Sequence, residues 1–351
     1  MLPYWQGEFG NPSSLHRFGT RAATAQDEAR ASVVGFINAK PGEIVFTSSG
    51  TESNNLAVLG VAKANRKRGR HIITTEIEHP SIQNCCRALE RDGYLMTYLP
   101  VNNNGLIKLA DFKKALRPET ILATVHLANS EIGVIQDIAN LSKLARANNT
   151  YFHTDACQAT AYLRLDVRKL GVDLLSFNGS KMYGPKGIAA LYVREGVEIF
   201  PIFYGGGQQG SLRSGTENLP GIVGLAKACE IAARRRTADS RRVATLRDQL
   251  QKSLEAAGCT INVKTAPRLP NHLSVVVPTD RADVVAALDR FGVAASSGSA
   301  CSERSLVESH VLTAIGLTSD QAHKTTRISL GRLTTKADCQ KVIAAVEKIM
   351  R

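Results

Sequence analysis

Val172-Asp-Leu-Leu-Ser-Phe-Asn-Gly-Ser-Lys-Met-Tyr-Gly-Pro-Lys-Gly187 passes from an apolar run, 172–177, into a glycine-rich loop that carries Lys181. The run reads as a buried strand, which places Lys181 just past its carboxyl end. A lysine amine must lose its proton before it attacks a carbonyl, and desolvation at a strand end favours the neutral form. Lys181 is therefore a candidate for a covalent bond to an aldehyde. A lysine in a glycine-rich loop can equally be a solvated or phosphate-facing cation, and this stretch alone leaves both readings open.

Outward from that strand the chain keeps one rhythm. Apolar strand-like runs at 44–46, 71–75, 94–101, 120–127, 151–154, 172–177 and 188–193 alternate with helical patterns such as 52–67, 80–92 and 138–148. Such alternation predicts an α/β fold with a mostly parallel sheet covered on both faces. After Gly221 a long charged helical stretch runs to about residue 257, followed by a smaller set of strands and helices. We place a boundary near residue 236, dividing a large domain, 1–236, from a small α+β C-terminal domain, 237–351. At 351 residues the chain exceeds the size at which one core keeps growing, which supports two domains.

Composition narrows the setting. The chain is 43% hydrophobic and 21% charged, as in ordinary globular proteins, and no apolar run is long enough to span a membrane. Seven cysteines, with no Cys-x-x-Cys spacing, argue against a disulfide framework and a zinc site and suggest a reducing, cytoplasmic setting. The start shows no leader pattern. Much of the net charge of +13 lies in Arg234, Arg235, Arg236, Arg241 and Arg242, with more at Arg66, Lys67, Arg68 and Arg70. No aromatic residues interleave with those arginines, so the first reading is a solvated helix face, with docking of an acidic partner or RNA as the alternative.

One cysteine stands apart. Cys301 lies in Ala295-Ser-Ser-Gly-Ser-Ala-Cys-Ser-Glu-Arg-Ser305, among small polar residues. Free cysteines are usually buried as small hydrophobes, so this one is a candidate nucleophile on a loop, or an incidental thiol. Cys85, Cys86, Cys157, Cys229, Cys259 and Cys339 fall in helical or strand contexts and read as core or surface residues.

Several other positions have a chemical reading beside a structural one. Ser48-Ser-Gly-Thr51 joins a strand to a helix, so its N–H groups suit an anion, although Thr is also a common N-cap. Asp155 follows a strand and could be a turn residue, and His79 precedes a proline and could be a satisfied loop histidine. Arg327 could grip a carboxylate with two parallel hydrogen bonds or form a surface ion pair.

Taken together these stretches resemble the NifS-type cysteine desulfurases of the class V aminotransferase family, over nearly the whole chain. The matching motifs, in order, are Phe9-Gly-Asn-Pro-Ser-Ser-Leu-His16, Glu43-Ile-Val-Phe-Thr-Ser-Ser-Gly-Thr-Glu-Ser-Asn-Asn55, Glu78-His-Pro80, His153-Thr-Asp-Ala-Cys-Gln158, Arg213-Ser-Gly-Thr-Glu-Asn218 and Arg327-Ile-Ser-Leu-Gly331. The long segment from Cys301 to Arg327, with Glu308-Ser-His-Val-Leu312, resembles the extended loop of the group I members.

The resemblance implies a type I pyridoxal phosphate-dependent transferase fold, with a seven-stranded sheet domain and a smaller C-terminal domain. It implies pyridoxal 5'-phosphate in Schiff-base linkage to Lys181, its phosphate near Gly50 and Thr51, and Asp155 on the pyridine nitrogen. His79 would stack on the ring, Gln158 would contact the ring oxygen, and Asn178 and Ser180 would stand near the phosphate. Thr216 would reach the phosphate of a neighbouring subunit, implying a homodimer. Arg327 and Ser130 would bind substrate L-cysteine. Lys181 and His79 would handle protons, and Cys301 would take the sulfur as a persulfide for a protein acceptor. That acceptor would be an iron-sulfur scaffold, or a tRNA or other nucleic-acid thiolation enzyme. The alternatives are a selenocysteine or cystine lyase and a catalytically impaired scaffold of the sulfur machinery.

Four departures from the family pattern bear on this. Asn178-Gly-Ser-Lys181 stands where Ser-Gly-His-Lys is usual, Asn129-Ser-Glu131 where Asn-Asn-Glu is usual, and Gln208-Gln-Gly-Ser211 lacks an arginine. The chain also begins inside the family pattern, without an upstream Asn-Asn-Ala-Thr loop. Weaker cofactor retention is the expectation.

Overall fold

The computed structural model describes residues 1–281, 283–297 and 308–351. Among these, seven strands form one sheet: β1 (Ile44–Thr47), β2 (His71–Thr75), β3 (Leu95–Leu99), β4 (Thr120–Thr124), β5 (Tyr151–Asp155), β6 (Leu174–Asn178) and β7 (Ala189–Val193). Their order is β1-β7-β6-β5-β4-β2-β3, and only the pairings of β7 with its two neighbours are antiparallel. A second sheet joins β8 (Thr260–Ile261), β9 (His272–Val276) and β10 (Thr325–Ser329), all antiparallel, in the order β10-β9-β8.

The central strands are buried on both faces, which is why they read as nearly continuous apolar runs. Their polar residues pair with one another inside the sheet. His153 on β5 bonds Thr124 on β4 through Nδ1 at 2.8 Å and Ser176 on β6 through Nε2 at 2.9 Å. Burial lowers the His153 pKa to about 4, so the ring bridges the strands as a neutral group. A one-residue slip would break both bonds and turn every side chain to the other face. The ladder therefore fixes how the carboxyl ends of β4, β5 and β6 line up.

β4 ends at Thr124 rather than continuing to 127; the N–H groups of Val125 and Leu127 still bond carbonyls of β5, while the side chains of His126 and Ala128 line a cleft. The 38-residue helix Leu219–Ala256 is about 57 Å long at 1.5 Å per residue. It packs on Arg17–Ile37 and on Lys336–Ile349. Position 236 lies inside this helix, and buried residues from Val33 to Val346 belong to one continuous cluster. We propose the 1–236 and 237–351 division as one between sheets that share a core.

The arginines of that helix are used locally. Arg236 sits over the Phe36 ring at 5.0 Å, and Arg235 pairs with Asp239 at 3.3 Å. Arg242 donates to the Thr334 carbonyl at 2.7 Å and to that of Arg332 at 2.6 Å. Among the described residues no helix is long and apolar enough to cross a membrane.

Candidate active site

In a parallel sheet the loops that follow the strands gather at one edge, and ligands bind there. Here the loops at the carboxyl ends of β2, β4, β5 and β6 deliver His79, then His126 and Ala128 to Ser130, then Asp155, Cys157 and Gln158, and then Asn178 and Lys181 into one cleft. The start of helix Gly50–Ala64 and Arg327 of β10 complete its wall.

The helix start is held open for an anion. Ser49 caps it by accepting from the Glu52 N–H at 3.1 Å, and Glu52 is fixed by Arg213 at 2.8 Å and by the Ser48 N–H at 2.7 Å. A Cβ at Gly50 would lie 2.6 Å from Cys157 Sγ, so only glycine leaves this approach clear. The positive end of the helix dipole faces the same space.

Asp155 is buried, and both oxygens of its carboxylate accept hydrogen bonds. Oδ2 accepts from Asn54 at 2.7 Å and Oδ1 from the Cys157 N–H at 2.9 Å. Burial pushes its pKa up, but the charge of His79 and these hydrogen bonds outweigh burial and leave it below the ordinary value. The network continues outward. Asn54 also donates to Ser81 Oγ at 2.9 Å, and the Ser81 hydroxyl and N–H both meet His79 Nδ1, at 2.8 and 3.1 Å.

Arg327 is anchored by the Ser130 and Ser296 carbonyls. Its Nη1 donates to the Ser130 carbonyl at 3.0 Å, which also accepts from His272 Nε2 at 3.0 Å. Its backbone N–H donates to the Ser296 carbonyl at 2.6 Å. Beyond the Cys301 segment the chain returns to the same wall. Ser309 donates to buried Glu131 at 2.5 Å, and His310 Nε2 donates to the Glu78 carbonyl at 2.9 Å.

The profile of the aminotransferase class-V family matches residues 1–342. The chain belongs to that family. It is 44% identical over 353 residues to the cysteine desulfurase IscS of Dictyoglomus turgidum, covering 100% of this chain and 90% of that protein. Among solved structures, a NifS-like protein superposes with a TM-score of 0.93 at 35% identity, covering 99% of this chain and 93% of that one. A structure of SspA in complex with cysteine gives 0.84 at 37% identity, covering 95% and 94%.

Enzymes of this kind use pyridoxal phosphate, and the cleft has the groups to hold it. It combines a helix start for the phosphate, an ionised carboxylate for a protonated ring nitrogen, and an amine. The buried Asn54 Oδ1 has no partner among the described residues, which also suits a polar ligand.

Of the residues expected from sequence, Gly50, Thr51, His79, Ser130, Asp155, Gln158, Asn178, Lys181 and Arg327 meet in this cleft. Lys181 is a correction in one respect. It lies on the one-turn helix Ser180–Met182 and is exposed in the single chain, because the strand ends three residues earlier. Ser180 is exposed and outside the cleft wall, and Thr216 is exposed beside a different cavity with Gln209 and Arg213. Cys301 lies outside the described residues. Cys157 is not in a strand or helix as expected but in the turn after β5, against the cleft.

Sequence reading missed Asn54, Cys157 and His126. Asn54 lies in a matching motif, and the signal that marks it is its position four residues into a helix that opens on an anion site. We expect Asn54→Ala to weaken pyridoxal phosphate binding about tenfold or more, since a hydrogen bond to a charged group contributes about 1.5–3 kcal/mol. Fluorescence titration of the apo-protein measures this, and an unchanged affinity would place Asp155 elsewhere in the chemistry.

Proposed function

We propose that this chain is a pyridoxal phosphate-dependent cysteine desulfurase that converts L-cysteine to L-alanine and takes the sulfur on Cys301. The observation that carries this reading is one cleft that joins Lys181, Asp155 and a helix start to Arg327, with Arg327 paired to Ser296 at the entry to the Cys301 segment.

Bound pyridoxal phosphate supplies a carbonyl for amines and a protonated ring that draws electron density from the substrate. Asp155 holds the proton at the ring nitrogen, since it stays ionised and is oriented by Asn54 and Cys157. Lys181 anchors the cofactor's carbonyl carbon and moves the substrate's α proton. Arg327, steadied by the Ser130 and Ser296 carbonyls, takes the substrate carboxylate. The Cys301 thiolate takes the sulfur: the substrate's C–S bond breaks, an S–S bond forms, and the thiol proton ends on the alanine methyl group. L-Cysteine and the Cys301 thiol thus become L-alanine and a Cys301 persulfide, which passes to a protein acceptor such as an iron-sulfur scaffold or a thiolation enzyme.

A homodimer fits the exposed position of Thr216, away from its own chain's cleft and beside exposed Phe203 and Tyr204. The six described cysteines are all free, which fits a reducing cytoplasm. Because Asn178 Oδ1 accepts from the Lys181 N–H at 3.3 Å and Ser180 faces outward, we keep the expectation of modest cofactor retention. The curated relatives named as cysteine desulfurases weigh against the lyase alternative.

The test is to incubate the cofactor-loaded protein with L-cysteine and reductant. Equal amounts of alanine and sulfide are expected, and absence of alanine would end the reading. For Arg327→Ala, kcat/KM should fall by roughly one to two decades, mainly through KM, as a charge-assisted contact of about 1.5–3 kcal/mol is lost. Unchanged kinetics would move the carboxylate site.

A further inference from the structure

His126 follows β4, and the ladder continues past the strand. The N–H of Val125 donates to the His153 carbonyl at 3.1 Å and that of Leu127 to the Asp155 carbonyl at 2.9 Å. With Thr124 paired to His153, this sets position 126 opposite Asp155. Paired residues share a face of a sheet, so both side chains point into the cleft, and His126 lines it.

His126 is only 4% exposed, and one carboxylate controls its ring. Glu78 takes the Nδ1–H at 3.0 Å and the His126 backbone N–H at 3.0 and 3.1 Å, and it also accepts from the Thr75 hydroxyl at 2.8 Å. Nδ1 is thereby committed as a donor and the ring cannot turn. Nε2 is left over, buried and without a partner among the described residues. Burial disfavours a charged ring here, but Glu78 and, less strongly, Asp155 outweigh it and raise the His126 pKa. A protonated His126 would present an N–H donor into the cleft. Leaving a buried polar atom unbonded costs about 1–3 kcal/mol, and a ligand that bonds it recovers that energy.

We propose that His126 is a further cofactor-binding residue, whose Nε2 hydrogen-bonds a polar atom of bound pyridoxal phosphate beside Asp155, with Glu78 as its positioning residue. This rests on the cofactor assignment. It also accounts for Glu78: the carboxylate in the Glu78-His-Pro80 motif orients a histidine in another loop rather than the one beside it in sequence.

The experiment uses apo-protein labelled with 15N-histidine, the His126 resonances being assigned by His126→Gln. On titration with pyridoxal phosphate, the Nε2 resonance of wild-type His126 should shift in step with cofactor uptake followed by absorbance. The dissociation constant should rise about tenfold in His126→Gln and several-fold in Glu78→Gln. A wild-type protein that takes up the cofactor with no change at His126 Nε2 would overturn the inference while leaving the cofactor assignment intact. Failure of the wild type to take up pyridoxal phosphate would overturn both.

Discussion

Lys181→Ala is expected to abolish turnover, lowering the rate of alanine formation by at least about a thousandfold, and to leave no cofactor adduct that borohydride can fix to the protein. Two contributions are lost together. The amine is the covalent anchor in the cleft, and a positioned acid-base group alone contributes about 10²–10⁴ in rate. The side chain is exposed, and among the described residues its backbone N–H is tied to Asn178, so removing the side chain should not unfold the chain. Circular dichroism and melting temperature separate loss of chemistry from loss of fold. A borohydride-fixed adduct in this variant would show that another lysine carries the cofactor.

The second large effect is expected at Cys301. Cys301→Ser should keep the absorbance of the bound cofactor and lose persulfide formation, with sulfur release from L-cysteine falling by several orders of magnitude. A hydroxyl is far less nucleophilic toward sulfur than a thiolate, and the cofactor site in the wall of the cleft is untouched. The other thiols are poor substitutes. Burial pushes Cys86 up to about 12 and Cys157 well above its ordinary value, so neither supplies much thiolate at neutral pH. Mass spectrometry after a pulse of L-cysteine should find one added sulfur, on the peptide containing Cys301. Persulfide on Cys86 or Cys157 instead would overturn the role of the 298–307 segment.

Much of the large sheet was legible from periodicity. The run 71–75 is β2, and the other expected strands fall within a few residues of β1 to β7. Doubly buried strands must be apolar along their whole length, and that leaves a mark that needs no neighbours to read. The strand ends were less legible. The apolar run 120–127 continues past the end of β4, because Val125 and Leu127 are buried in the core and His126 and Ala128 in the cleft wall just as strand residues are buried in the sheet. Burial alone does not distinguish the two. The change of rhythm near 236 likewise left no mark on the backbone, since helical propensity carries Leu219–Ala256 through it unbroken.

By itself the sequence determined the α/β alternation, the family, and which residue types could carry chemistry, because these depend on local order along the chain. A glycine before a helix, a lysine after a strand and an arginine in a late strand can each be named from their neighbours. Only the tertiary structure decided which of them face one another. It joined Arg327 to Ser130 across 197 positions and Asn54 to Asp155 across 101, and it left Ser180 and Thr216 outside the cleft. It also turned His126 away from any role its flanking residues suggest and toward Glu78, 48 positions upstream. The physical reason is register: cross-strand pairs such as Thr124 with His153 decide which side chains share a face, and a short-range pattern does not record a strand's partner.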